Sequence, residues 1–172
     1  MKRKVISFSF VVLFTTVIIF LVFKIFEGQK MKELKGQNMN ELPDFCLNDL
    51  WGAPYCLEDL KGSLSVIILF APYCSNCENE IIDLIKHKEY FEEIPIIMIT
   101  NANELSCKEY YVKNNLFNLT TLHILRDTAN DFFKYSGISA IPSTFLYDEN
   151  RRLIQQFAGE TKAKTIISYL KE

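Results

Sequence analysis

Two cysteines separated by two residues, Cys74 and Cys77, are the side chains most able to do chemistry in this sequence. Before them, residues 65–71 are almost continuously apolar and β-branched, as in a strand buried on both faces. After them, residues 78–90 carry apolar side chains at helical spacing. Cys74 is therefore expected at the start of a helix, where free N–H groups and the helix dipole favour the thiolate, the nucleophile of disulfide exchange. Cys77, one turn later, is placed to attack a mixed disulfide formed by Cys74.

The same pair has two other interpretations, a zinc half-site and a structural disulfide. Zinc needs two more ligands, and the two histidines, His87 and His123, have no cysteine pair beside them. A disulfide across so short a loop would constrain little of the unfolded chain. We therefore favour redox chemistry, and expect no metal and no bound cofactor.

Composition limits the other functions that the chain can have. A chain of 172 residues with 49% hydrophobic content can bury one good core. Its net charge of -2 indicates no polyanionic partner, so no nucleic acid is expected. Five cysteines suit an oxidising compartment, in which dithiols need an enzyme to set their redox state.

The N-terminal part of the chain predicts a membrane anchor. Residues 5–23 contain no charge, follow a basic cluster at residues 2–4 and are long enough to cross a bilayer as a helix. No small-residue cleavage site follows, and no cysteine that could carry a lipid. We expect residues 1–26 to be an uncleaved single-pass anchor with its N-terminus in the cytoplasm and the catalytic domain outside. A buried core helix is the alternative, although the segment has no polar face.

Residues 27–41 are polar and predict a tether, and residues 42–172 predict one domain. Two short extended runs, 44–47 and 54–57, predict a hairpin, and residues 58–62 a helical turn.

In the rest of the domain predicted strands first alternate with helices, and two strands then follow each other directly. Predicted strands and helices follow one another at residues 94–100, 101–114, 121–125 and 127–135. This alternation indicates a parallel core sheet, and Asn101 with Glu104 predicts a capping box at the first of these helices. Residues 143–147 and 153–157 then predict an antiparallel hairpin, and residues 162–170 a closing helix.

Three features together resemble the thioredoxin superfamily. They are the CxxC at the start of a helix after the first core strand, Ile-Pro-Ser-Thr-Phe at residues 141–145 before an antiparallel hairpin, and Gly159 ahead of the last helix. The N-terminal hairpin, the inserted helix 101–114 and the anchor look more specifically like the TlpA/ResA-like membrane-anchored thiol-disulfide oxidoreductases. The resemblance covers about residues 42–170. It implies a thioredoxin-like α/β fold, a central mixed sheet flanked by helices, with an added N-terminal β-hairpin and one preceding transmembrane helix.

The resemblance also implies which residues bind the substrate. Pro142 would be the cis-proline that faces the CxxC and, with Ile141, helps to hold an extended substrate segment. A trans-proline at the start of an edge strand is the alternative. Tyr73 stands where members of the superfamily usually carry tryptophan, and it keeps an aromatic ring with a polar tip for substrate contact.

Glu80 matches the acidic residue that follows the second cysteine by three positions in this family. On a helix it lies on the same face as Cys77, where a buried carboxylate could pass a proton to or from that thiol. A solvated glutamate is the alternative. The family's usual proline two residues later is Ile82 here, which puts the usual tuning of the redox potential in question.

The remaining cysteines are expected to be structural. Cys46 and Cys56 fall on opposite arms of the predicted hairpin, where a facing pair could form a disulfide. Two free buried thiols, or a second redox pair exchanging with the CxxC, are the alternatives. Cys107, within a predicted helix, is expected to be a small buried hydrophobe.

The function implied by the resemblance is that of an extracytoplasmic protein-disulfide reductase. Its partners would be a membrane thiol carrier as electron donor and exported proteins with a disulfide to open, such as apocytochrome c. An oxidase or isomerase for one secreted partner remains an alternative. A peroxidase would have threonine three residues before the nucleophile, where Ala71 stands. A binding protein is an alternative from a different functional class: a copper or zinc carrier would use the two thiols and His123 as ligands.

Overall fold

The computed structural model describes residues 39–171, together with Ile18. The strands are β1 (Cys46–Asp49), β2 (Pro54–Cys56), β3 (Ser65–Leu69), β4 (Ile96–Thr100), β5 (Leu122–Arg126), β6 (Ser143–Tyr147) and β7 (Leu153–Ala158). The α-helices are α1 (Ser75–Lys86), α2 (Glu104–Lys113), α3 (Asp131–Ser136) and α4 (Ala163–Leu170). Short 3-10 turns lie at Leu57–Leu60, Lys88–Tyr90 and Leu116–Asn118.

Within residues 39–171 the strands form one mixed sheet in the order β2-β1-β5-β4-β3-β6-β7. β3, β4 and β5 are parallel, whereas the hairpins β1–β2 and β6–β7 are antiparallel additions at the two sides. The predicted α/β architecture, with a central mixed sheet and an N-terminal hairpin, is therefore confirmed. The carboxyl ends of the parallel strands meet at one edge of the sheet, where α1 begins.

Both faces of the sheet are covered, because successive side chains of a strand point to opposite sides. One face packs against α1, α2 and α4, and the other against α3, the turn at Leu57–Leu60 and the segment before β1. All five residues of β3 are buried. The strand that leads into the cysteine pair is therefore fixed from both sides.

Apart from Ile18, the predicted anchor, residues 1–26, lies outside the described residues, and so does most of the predicted tether. Of the helices that the structure describes, none has the length and apolar character needed to cross a membrane. At the end of the tether segment, Met39 is fully buried in the core and its carbonyl accepts a hydrogen bond of 2.9 Å from the Tyr147 hydroxyl. The packed part of the chain thus includes residues before position 42.

The start of α2 differs from the predicted capping box. The N-cap residue is Asn103, whose side-chain oxygen accepts a hydrogen bond of 2.9 Å from the Ser106 N–H. Asn101 instead donates its side-chain amide to the side chain of Asn130 at 3.1 Å. Both asparagines can cap a helix, and the structure uses the later one, so that Glu104 becomes the first helical residue and the predicted box is wrong.

The N-terminal hairpin is closed by a disulfide between Cys46 and Cys56, which face each other across β1 and β2. Cys46 is exposed and Cys56 half-buried. The bridge is present as predicted, and the alternative of two free buried thiols does not fit this geometry. It joins residues ten positions apart, so it restricts the unfolded chain over one short loop.

We expect the double variant Cys46→Ala with Cys56→Ala to lower the free energy of unfolding by about 2.5 to 3 kcal/mol, the loop-closure entropy of so short a bridge. Denaturant unfolding without reductant, compared with the unmodified chain, measures this loss. The rate of exchange at Cys74 should be unchanged, because β1 is separated from β3 by two strands. An unchanged unfolding midpoint would contradict the structural role, and a large loss of exchange would favour a second redox pair.

Candidate active site

Cys74 is the N-cap residue of α1. Its backbone is extended (φ -93°, ψ 114°), and its sulfur accepts a hydrogen bond of 3.2 Å from the Cys77 N–H. The carbonyl of Cys74 accepts the first helical hydrogen bond, 3.0 Å from the N–H of Glu78. The half-buried sulfur remains reachable from solvent. An N–H donor and the positive end of the helix are therefore directed at the sulfur that must carry negative charge when it attacks as a thiolate.

Cys77 lies behind the nucleophile, with 2% of its surface exposed. Burial raises the pKa of this thiol, and its hydrogen bond with Cys74 raises it further. The Tyr110 hydroxyl donates a hydrogen bond of 3.2 Å to the Cys77 carbonyl and so links α1 to α2. Cys77 therefore keeps its proton until a neighbouring group takes it.

Glu80 is a buried carboxylate one turn further along α1, with 1% of its surface exposed. One carboxylate oxygen accepts a hydrogen bond of 2.5 Å from the Thr144 hydroxyl, and the other accepts one of 2.9 Å from the Thr161 N–H. Burial raises the pKa of Glu80 to about 7, although both hydrogen bonds act in the opposite direction. Near neutral pH the group can both accept and donate a proton, and the alternative of a solvated glutamate does not hold.

The loop before β6 faces the cysteines. The Ile141–Pro142 peptide bond is cis, as the resemblance implies, and the alternative of a trans-proline is wrong. The Cys74 sulfur lies 3.9 Å from the Ile141 carbonyl oxygen, and the Gly159 N–H donates a hydrogen bond of 2.8 Å to the Pro142 carbonyl. The loop is thus held by the residue that follows β7, and it borders the nucleophile.

Tyr73 stands directly before the nucleophile with 81% of its surface exposed. Its hydroxyl shares a hydrogen bond of 2.8 Å with the Ser106 hydroxyl in the first turn of α2. The phenol group is anchored while the aromatic ring remains open to solvent. Together with Ile141, which is partly exposed across the site, it offers an apolar contact to an incoming chain.

The structure does not bring His123 to the cysteines. Its neighbours in β5 pack on the α1 face of the sheet, so that His123 points to the other face, where its ring lies 4.7 Å from that of Tyr55. Burial lowers the pKa of His123. In the part of the chain that the structure describes, no cluster of three or more His, Cys, Asp or Glu side chains could hold a metal ion.

Cys107 is fully buried in α2, and its thiol donates to the Ala102 carbonyl at 3.9 Å. Burial raises the pKa of this thiol. It belongs to the same core cluster as Cys77 but takes no part in the contacts of the site. Its predicted place as a small buried hydrophobe is confirmed.

Several residues of the site could not be found from the sequence. Thr144 and Thr161, which hold Glu80, lie 64 and 81 residues away along the chain. Ser106 and Tyr110 bind the cysteine segment from α2, each 33 residues from its partner. Thr144 lies within the Ile-Pro-Ser-Thr-Phe motif and Thr161 follows Gly159 by two positions, but neither motif indicates a contact with Glu80. Spacing gives no signal for such contacts, because the fold alone brings them together.

A CxxC that begins a helix after a central parallel strand, opposite a cis-proline loop, defines a thiol-disulfide oxidoreductase with a thioredoxin-like fold. The chain belongs to the AhpC/TSA family, whose model matches residues 39–156. The resemblance to the thioredoxin superfamily stated from the sequence is thereby confirmed.

Known proteins share this organisation. Over 154 residues the chain is 27% identical to the thiol-disulfide oxidoreductase ResA of Bacillus thuringiensis subsp. konkukian, covering 87% of this chain and 86% of that protein. Among solved structures, a secreted Mycobacterium tuberculosis disulfide oxidoreductase, described as homologous to E. coli DsbE, has a TM-score of 0.64 at 17% identity. The match covers 78% of this chain and 97% of that one. The exposed lipoprotein thioredoxin Etrx1 of Streptococcus pneumoniae has a TM-score of 0.63 at 20% identity, covering 75% and 98%.

Proposed function

We propose that the protein is a membrane-anchored, extracytoplasmic reductase that opens disulfides in exported proteins, apocytochrome c being one such client. The observation that carries the proposal is the arrangement of the two thiols, a reachable helix-capping Cys74 in front of a buried Cys77 with Glu80 beside it. Relatives named ResA thiol-disulfide oxidoreductase support the same chemistry.

The reaction runs in two exchanges that conserve electrons. The Cys74 thiolate attacks one sulfur of the substrate disulfide, forms a mixed disulfide and releases the other substrate sulfur as a thiolate. Cys77 then passes its proton to Glu80 and attacks the Cys74 sulfur, which releases the second substrate thiolate. The products are a reduced substrate and an oxidised Cys74–Cys77 pair. A membrane dithiol carrier returns the two electrons to that pair, and the proton held by Glu80 goes back to Cys77.

Two features support the proposed location. Residues 5–23 are uncharged and apolar behind a basic cluster, the pattern of a segment that crosses the membrane with its N-terminus inside. The Cys46–Cys56 disulfide suits a compartment outside the cytoplasm, where such bonds persist. A domain placed there would meet exported proteins after their cysteines have been oxidised.

The direction of exchange depends on relative redox potentials, and about 30 mV changes the equilibrium tenfold for a two-electron couple. The alternative is an oxidase or isomerase that makes disulfides in a secreted partner. An oxidase uses the same residues but would have its cysteine pair oxidised in the cell, whereas an isomerase starts by thiolate attack and would have the pair reduced.

Labelling of Cys74 in intact cells tests location and direction together. The chain is expressed in a bacterium without an outer membrane, and a membrane-impermeant maleimide is added, with Cys74→Ser as control. We expect Cys74 to be labelled at once, since an extracytoplasmic reductase is kept reduced. Labelling only after an impermeant reductant would favour the oxidase. Labelling only after lysis would contradict the proposed location.

A further inference from the structure

Thr144 reaches the buried carboxylate of Glu80 from a different part of the fold. It is the second residue of β6, and its side chain lies on the sheet face that carries Leu146 and packs against α1. Its hydroxyl and the nearer Glu80 oxygen are 2.5 Å apart, and both side chains are almost completely shielded from solvent. Water therefore cannot replace this hydrogen bond when it is removed.

The two partners of Glu80 differ in what they can do. The Thr161 N–H, 2.9 Å from the second oxygen, can only donate a hydrogen bond. A hydroxyl both donates and accepts. Thr144 can therefore donate to the carboxylate and, after the carboxyl has taken up a proton, rotate its own proton away and accept from the acid. By reversing its direction, the contact with Thr144 can persist on the same carboxyl oxygen in both states, whereas the Thr161 N–H stays bonded to the second oxygen as long as that oxygen is not the protonated one.

We propose that Thr144 is a positioning residue for disulfide exchange, whose hydroxyl holds Glu80 beside Cys77 in both protonation states and sets the pH of the proton transfer between them. The inference rests on the proposed role of Glu80 in the second exchange. It assigns a function to a residue that touches neither sulfur and acts through the carboxyl group alone.

The titratable groups around Glu80 do not act as its positioning residue. The titratable groups that face it are Cys77 on α1, Tyr110 on α2, and Glu160 and Lys162 before α4. Glu160 raises the pKa of Glu80 and Lys162 lowers it, and these two side chains pair with each other at 2.5 Å. Because they neutralise one another at the surface, the hydroxyl of Thr144 is the neighbour whose removal changes the carboxyl most directly.

The test isolates the second exchange in the full-length chain. Cys74 is converted to its mixed disulfide with thionitrobenzoate, and the release of that thiolate is followed as Cys77 attacks and the Cys74–Cys77 disulfide forms. For the unmodified chain we expect the rate to show an inflection near pH 7, where Glu80 titrates. In Thr144→Val the inflection moves up by about one pH unit, because the hydroxyl binds the charged carboxylate more strongly than the neutral acid and its loss therefore disfavours the charged form. Thr144→Ser, which keeps the hydroxyl, restores the original position.

The outcomes separate this inference from the proposed function. If Glu80→Gln removes the inflection but Thr144→Val leaves it in place, the role of Thr144 is wrong and that of Glu80 stands. If the unmodified chain and Glu80→Gln share one profile, the proposed role of Glu80 fails and the inference fails with it. If Thr144→Val does not fold, Thr144→Ala takes its place in the test, because alanine requires no extra space in the core. A carbon-13 NMR titration of the Glu80 carboxyl in that variant must show the same upward shift, and an unshifted titration overturns the inference.

Discussion

Replacement of Cys77 by alanine is expected to stop turnover and to leave Cys74 covalently joined to its substrate. The first exchange needs only Cys74, which remains at the start of α1 with its sulfur partly exposed. The second exchange would then depend on an external thiol. Well-oriented intramolecular groups act like reactants at about 10⁵ M or more, so we expect reduction of a disulfide substrate by millimolar thiol to fall by at least about a thousandfold.

Non-reducing gels and mass spectrometry of the trapped species measure this result and identify the clients directly. Cys107→Ala is the matched control, since Cys107 is a free but buried cysteine outside the site. Combined with Cys77→Ala, it should leave the trap intact, whereas Cys74→Ser should abolish it. Absence of any mixed disulfide at Cys74 in the Cys77→Ala variant would contradict exchange chemistry at this pair.

The parts of the fold that could be predicted are those specified by neighbouring residues. Apolar β-branched runs predicted β3 and β4, and the polar turn at residues 148–152 predicted the β6–β7 hairpin, because each depends on a local pattern. The position of Cys74 at a helix start followed from the same reasoning. A site whose residues all lie on one strand, the turn after it and the next helix can be predicted from residue spacing alone.

Two things limit what could be predicted from the sequence: neighbouring residues that compete for the same role, and contacts between distant parts of the chain. Asn101 and Asn103 are both good caps, and packing decides between them. The third helix begins at Asp131 rather than at 127, because the Asp127 carboxylate accepts hydrogen bonds from the N–H groups of Asp131 and Phe133 and forms a turn before it. The surroundings of Glu80 could not be predicted at all. They require β6 and the segment before α4 to meet α1, which no local pattern encodes.

Glu80 should also make stability fall as the pH rises through neutrality. The ordinary pKa of a glutamate, which applies to the unfolded chain, is near 4.5, and burial raises the pKa of Glu80 in the folded chain to about 7. Between pH 4.5 and pH 7 the folded protein therefore binds more protons than the unfolded one. The stabilisation from this group is fully present below about pH 4.5 and is lost as the pH rises through 7. At 1.36 kcal/mol per pKa unit, the unfolding free energy should drop by roughly 2.5 kcal/mol between pH 5 and pH 8 on account of this residue.

Denaturant unfolding of the unmodified chain and of Glu80→Gln at both pH values measures the drop. Glutamine cannot titrate, and its amide oxygen can accept from the Thr161 N–H while its NH₂ group donates to the Thr144 hydroxyl, so any cost of the substitution does not depend on pH and the difference between the two proteins isolates the carboxyl group. Glu109→Gln, an exposed position on α2, should show no such change. Parallel pH profiles for the unmodified chain and Glu80→Gln would mean that the carboxyl titrates equally in both states. In the proposed mechanism Glu80 ionises for exchange in the same pH range in which the folded chain loses this stabilisation, so the carboxyl group would serve the chemistry at a cost to the stability of the fold.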